Sequence, residues 1–85
     1  MVKVRPLGHL RSALQIGQAN LNGVISDVRD LLNRLSAGLR AGEEPITSEN
    51  TLIMVNGVEI SALSEYDTAL SPEDEVVLIP VVHGG

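Results

Sequence analysis

The 85-residue chain has no cysteine, tryptophan or phenylalanine, and Tyr66 is its single aromatic residue. Without cysteine there is no disulfide framework, no thiolate metal site and no thiol nucleophile. Without several aromatic faces there is no stacking platform for single-stranded nucleic acid. Positive charge is scarce as well: six Lys and Arg stand against eleven Asp and Glu, a net charge of −5, and Lys3 is the only lysine. Direct nucleic-acid binding selects basic surfaces and is disfavoured. The balance suits a protein partner with a basic docking face. No apolar run approaches the roughly 20 residues of a membrane span, and "MVKVRPLGHL" lacks the pattern of a signal peptide. These absences predict a cytoplasmic protein with no membrane contact. His9 and His83 are the only histidines and lie far apart, so no metal site is expected. There is no Gly-rich phosphate loop and no catalytic dyad or triad. The chain is expected to be neither an enzyme nor the holder of a cofactor.

What is present reads as one small domain. "VKVRPL" alternates Val2 and Val4 against Lys3 and Arg5, a half-buried strand, and Pro6 limits its pairing. "GHLRSA" reads as a turn or loop. "LQIGQANL" reads as a second strand, ended by the turn pair Asn22-Gly23. Val28, Leu31, Leu32, Leu35 and Leu39 then make one helical stripe, with Asp27 as N-cap and Asp30 at capping-box spacing. Arg40 suits the end of that helix, and Gly42 suits its closing residue. "TLIMVNGVEI" is a hairpin on a type I′ Asn56-Gly57 turn. Its register puts Ile53, Val55, Val58 and Ile60 on the core face, and Leu52, Met54 and Glu59 on the other. "SALSEYDTAL" reads as a helical turn with a short 3₁₀ piece, and "SPEDE" as an acidic turn. "VVLIP" is apolar throughout, as in a central or parallel strand. The expected fold class is α+β: a mixed four- to five-stranded sheet with one main helix on one face, and first and last strands as parallel central neighbours.

This order, with "VKVRPLGHLRSAL", "DVRDLLNRL", "VNGVEI" and above all "LSPEDEVVLIPVVHGG", resembles the ubiquitin-like β-grasp family of sulfur carriers and protein modifiers. That family includes the ubiquitin-related modifier, the small archaeal modifiers, the thiamine sulfur carrier and the small subunit of molybdopterin synthase. The resemblance divides the chain into a β-grasp domain, 1–80, and a diglycine tail, 81–85. It implies that a ubiquitin-activating-type enzyme uses ATP to adenylate the Gly85 carboxylate. Sulfur from a donor then gives a thiocarboxylate for tRNA thiolation or molybdopterin synthesis, or the activated carboxyl passes to lysines of target proteins. The partners implied are that adenylating enzyme, the sulfur donor, target-protein lysines, a tRNA thiolation enzyme and the large subunit of molybdopterin synthase. A dedicated molybdopterin synthase subunit is the alternative. A β-grasp interaction module with an inert tail is the other.

The residues themselves fit a reactive end. Glycines without side chains can thread a channel where a Cβ would clash. At about 7% glycine usage, two terminal glycines arise by chance in roughly one chain in 200. Val82, His83 and Gly84 would line the partner's channel and Gly85 would carry the chemistry. An outward apolar face of Leu52 and Met54, joined by Val77 and Ile79, would dock the partner. Lys3 is the sole side-chain acceptor for self-conjugation.

Overall fold

A computed structural model describes residues 1–14, 21 and 23–81. The second-strand segment therefore falls largely outside the described residues, as do Asn22 and the tail residues Val82, His83, Gly84 and Gly85. The described elements are β1 (Lys3–Pro6), α1 (Leu10–Ala13), α2 (Val28–Ala37), β2 (Thr51–Val55), β3 (Val58–Glu59) and β4 (Glu75–Pro80). Two 3₁₀ turns, Ile60–Ala62 and Glu65–Asp67, lie between β3 and β4. The sheet order is β1-β4-β2-β3. β1 runs parallel to β4, and β4 antiparallel to β2.

The core forms where the strand and helix periods agree. Val28, Leu31, Leu32 and Leu35 of α2 are buried. They join Val2 from ahead of β1, Ile53 and Val55 from β2, Ile60, and Val76 and Leu78 from β4 in one cluster. Asp27 caps α2 as its sequence predicts, accepting the Asp30 N–H at 2.8 Å. Asp30 reciprocates one residue further back: its carboxylate accepts the Ser26 N–H at 3.1 Å. The helix start is stitched to the segment before β4 by Val28 N–H to Thr68 O and Leu70 N–H to Ser26 O, both 3.0 Å.

Three expectations need correction. "GHLRSA" contains α1: one helical turn suffices to bury Leu10 and Ala13, spaced i and i+3 on one face. α2 ends at Ala37, capped by Gly38, rather than at Gly42. Leu39 has left the helix to bridge Leu14, and the Arg40 N–H is drawn to Ala13 O at 3.1 Å. Tertiary pairing with the end of α1 thus ends the helix before its stripe runs out. Val58 is 42% exposed rather than core; it pairs with buried Val55, but its strand lies at the sheet edge. β4 is central and β1 runs parallel beside it, as expected; the segment read as the second strand lies largely outside the described residues.

The hairpin turn matches its sequence, with φ of 51° at Asn56 and 84° at Gly57, as a type I′ turn requires. The same asparagine ties the acidic turn to the hairpin. Its amide donates to Asp74 at 2.9 Å, and its carbonyl accepts the Glu75 N–H at 3.0 Å. Hydrogen bonds from the Ser71 N–H and then Asn56 hold the Asp74 carboxyl below its ordinary pKa. A lowered native pKa stabilises the fold above the unfolded value, about 3.9, and that contribution disappears as pH falls through the native value. Unfolding followed in urea from pH 7 to 2 should therefore show stability declining below about pH 4. Asp74→Asn should flatten that decline; an unchanged slope would remove Asp74 from the acid sensitivity.

Candidate functional site: the outer sheet face and the end of β4

β4 is the strand from which the tail departs, and both of its flanks hold it. Along its length Lys3 pairs with Glu75, Val4 with Val76, Arg5 with Val77 and Pro6 with Leu78. The Leu7 N–H extends this ladder to Leu78 O at 2.9 Å. On the other side Thr51 pairs with Pro80, and the Val81 N–H donates to Asn50 O at 2.9 Å. Asn50 is itself fixed. Its side chain accepts the Thr47 N–H at 3.0 Å and the Thr51 hydroxyl at 2.8 Å, and donates to Pro45 O at 2.9 Å. Gly8, at φ +56°, lies so close to this root that an added Cβ would sit 2.9 Å from Pro80 Cγ. The strand therefore delivers the chain at Val81 to a position set by hydrogen bonds, not by side-chain bulk. A cavity of about 270 Å³ adjoins the root, with Leu10, Ala13, Ile46, Thr51 and Val81 among its lining residues. Thr51, the buried hydroxyl there, is spent on Asn50. His9, Glu43 and Glu44 also line it.

The register also decides which residues share the outer face. Leu52 pairs with Ile79 and Met54 with Val77. Neighbouring strands are about 4.8 Å apart, so these four side chains form one contiguous apolar patch. Leu52 is 37% exposed, and Met54, Val77 and Ile79 are half-buried. Their partners in alternation, Ile53, Val76 and Leu78, lie at 1%, 0% and 0% on the helix side. The patch is rimmed by opposite charges. At one edge stand exposed Lys3 and Arg5, which the β1 pairing places beside Glu75 and Val77. At the other, Glu59 pairs with Met54. The Glu59 carboxylate accepts from the Ser61 hydroxyl and N–H and is held below its usual pKa by those bonds.

Reading the sequence by segments named the four apolar residues of this face but not its basic rim. Arg5, Asn50 and Gly8 were not singled out. The alternation of Lys3 and Arg5 held the signal for the rim, but using it requires knowing that β1 lies parallel beside β4. Lys3 comes onto the same face as the patch. His9 is exposed on the turn before α1, and no cluster of three metal-ligating side chains occurs among the described residues. Nor, among them, is any helix long and apolar enough to cross a membrane.

A family model described as the ThiS family matches residues 4–85. Three solved structures are similar over 99% of the chain. The Haloferax volcanii HVO 2177 protein has 27% identity, a TM-score of 0.71 and 85% of its own length covered. The small archaeal modifier protein 1 from Methanosarcina acetivorans has 28% identity, a TM-score of 0.72 and 95% covered. Urm1 from Trypanosoma brucei, at 20% identity with a TM-score of 0.73 and 94% covered, shares the fold. No curated protein matches the sequence.

Two leucines on adjacent strands separate the structural face from the outer one. Leu78→Ala should cost about 2–5 kcal/mol, the range for a fully buried leucine. Leu52→Ala, on the outer face, should cost about 1 kcal/mol or less. Urea denaturation of the two variants measures the difference, and equal losses would mean that the outer patch is part of the core.

Proposed function

Starting from the fact that the chain belongs to the ThiS family of ubiquitin-like sulfur carriers and modifiers, we propose that its working atom is the carboxyl carbon of Gly85, activated by an adenylating enzyme that docks on the outer face of the sheet. A carboxylate acylates poorly at neutral pH because its leaving group would be oxide. Transfer of AMP from ATP, with pyrophosphate released, supplies a good leaving group. A sulfur nucleophile then displaces AMP to give a thiocarboxylate or thioester, and that sulfur comes from elsewhere because this chain has no cysteine. The carrier has no catalytic residue in this scheme; it presents an end and a docking surface.

One observation carries the reading. The last ladder bond, Val81 N–H to Asn50 O, fixes the point from which 82–85 leave β4, the same strand that supplies Val77 and Ile79 to the outer patch. A partner seated on the patch therefore meets Val81, the residue before the tail, at a set distance from it. In this scheme Val82, His83 and Gly84 pass through the partner's channel. Between fates for the activated end, modification of target lysines is favoured. A structure 28% identical over almost the whole chain is that of a protein named a small archaeal modifier.

The chain is incubated with its adenylating enzyme, ATP and a sulfide source, and intact mass is recorded. One oxygen should be replaced by sulfur, and deletion of Gly84 and Gly85 should abolish the exchange. Met54→Glu with Val77→Asp should lower the rate at limiting carrier at least about tenfold, as for loss of central interface contacts. Sulfur incorporation by the truncated chain would disprove the reactive end. An unaffected rate in the double variant would disprove the docking face.

A further inference from the structure

The only lysine of the chain lies on the face assigned above to the activating partner. Lys3 pairs with Glu75 at the start of β1, and its neighbour on that face, Arg5, pairs with Val77 of the apolar patch. Residues diagonal to one another on adjacent strands are about 7–8 Å apart, within reach of a lysine side chain. Lys3 is exposed, and its ammonium makes no ion pair or hydrogen bond with any described residue, whereas Arg29 and Arg34 are held by Asp67 and Asp30. With Arg5 it supplies the positive charge along this rim, opposite Glu59 at the β3 edge. A partner that covers the patch thus needs an acidic strip along β1. The net charge of −5 would not suggest such a strip, and the acidic residues at this edge are themselves faced by cations, Glu75 by its pairing with Lys3 and Glu73 by the Met1 ammonium at 3.5 Å.

We propose that Lys3 is a modification site whose acylation closes the docking face, so that a copy modified there can no longer be activated efficiently. The inference rests on the reactive-end reading above. The acyl donor it names is a second copy of this chain carrying the Gly85 adenylate. The Lys3 amine, having released a proton to solvent, attacks the Gly85 carbonyl carbon of that copy. A C–N bond forms, the C–O bond to AMP breaks, and AMP leaves with the electron pair. The amine loses its second proton to solvent, and the product is an isopeptide bond. Two consequences follow for the acceptor. Its rim loses one of two cationic groups, leaving Glu75 beside a neutral amide. A body of 12.0 Å radius of gyration is also tethered at the edge of the surface the enzyme must cover. The acceptor's own Gly85 remains free but is no longer well presented. Chains joined through Lys3 would therefore grow by addition of single activated copies, and would not be activated and transferred as preformed blocks.

The test separates this inference from its premise. Nε-acetyllysine is installed at position 3 and, as a control, at position 36, an exposed site on α2 away from the outer face. ATP–pyrophosphate exchange by the adenylating enzyme is then measured against carrier concentration. Acetylation at position 3 should raise the carrier KM at least about fivefold, the scale of losing a rim charge, while the position-36 form matches wild type. Lys3→Gln should show a higher KM than Lys3→Arg, because arginine keeps the charge. A chain already joined to a second copy at Lys3 should exchange more weakly than the acetylated one. In the same reactions wild type should yield an isopeptide-linked dimer and Lys3→Arg none. Equal KM values at positions 3 and 36, no wild-type dimer, or an undiminished dimer from Lys3→Arg each overturn the proposal. Absence of exchange by wild type itself would remove the reactive-end premise, and this inference with it.

Discussion

The structure depends on the placement of β4 between two hydrogen-bonded neighbours with its alternate side chains in different media. Val76 and Leu78 are fully buried against the α2 leucines, while Val77 and Ile79 face outward between Leu52, Met54 and Arg5. Because a strand has a side-chain period of two, these assignments cannot be changed separately. A slip of one residue would put Val77 and Ile79 in the core and Val76 and Leu78 in water. The burial that stabilises the domain therefore also fixes the composition of the outer face and where the chain reaches Val81.

Several local devices protect that register. The Asn56-Gly57 turn sets the β2–β3 pairing, and Asn56 also holds Glu75 at the opposite end of β4 from the tail. Asn50 organises the approach to β2 with its side chain and anchors Val81 with its backbone carbonyl. Gly8 lets the chain after β1 pass against Pro80, where a Cβ would meet the proline ring at 2.9 Å. On the other side of the molecule, Arg29 pairs with Asp67 and lies 6.0 Å over the Tyr66 ring. The Tyr66 hydroxyl accepts the Ser48 N–H at 2.8 Å. The one aromatic residue thus joins the helix to the loops ahead of β2 and β4, a structural role away from the outer face.

In the proposed scheme activation chemistry belongs to a partner, and the carrier contributes an accessible end, a firm base for it and a recognisable surface. In that scheme the distribution of charge would serve recognition more than net charge does. The chain is acidic as a whole, yet one rim of its apolar face is basic and the other acidic. A partner can therefore read orientation as well as position, since a reversed approach would place like charges together.

Much of this was legible in the residues. Periodicity gave the α2 stripe from Val28 to Leu35, the Asp27 cap gave its start, and Asn-Gly gave the hairpin with the correct register. Those features are local, and each is fixed within a few residues by backbone sterics and side-chain spacing. Other features required the folded chain. The helix stops at Ala37 because Leu39 finds a partner in Leu14, a contact between segments distant in sequence. Val58 shares a face with buried Val55 but is exposed because its strand is at the edge, and nothing in "VNGVEI" states where in the sheet that hairpin lies. Lys3 and Arg5 become the rim of the outer face only through parallel pairing with β4, 72 residues further along the chain at each matched position. Sequence by itself determined the alternation and the turns, because these follow from local geometry. Tertiary structure decided which alternating faces meet, because that is set by long-range burial.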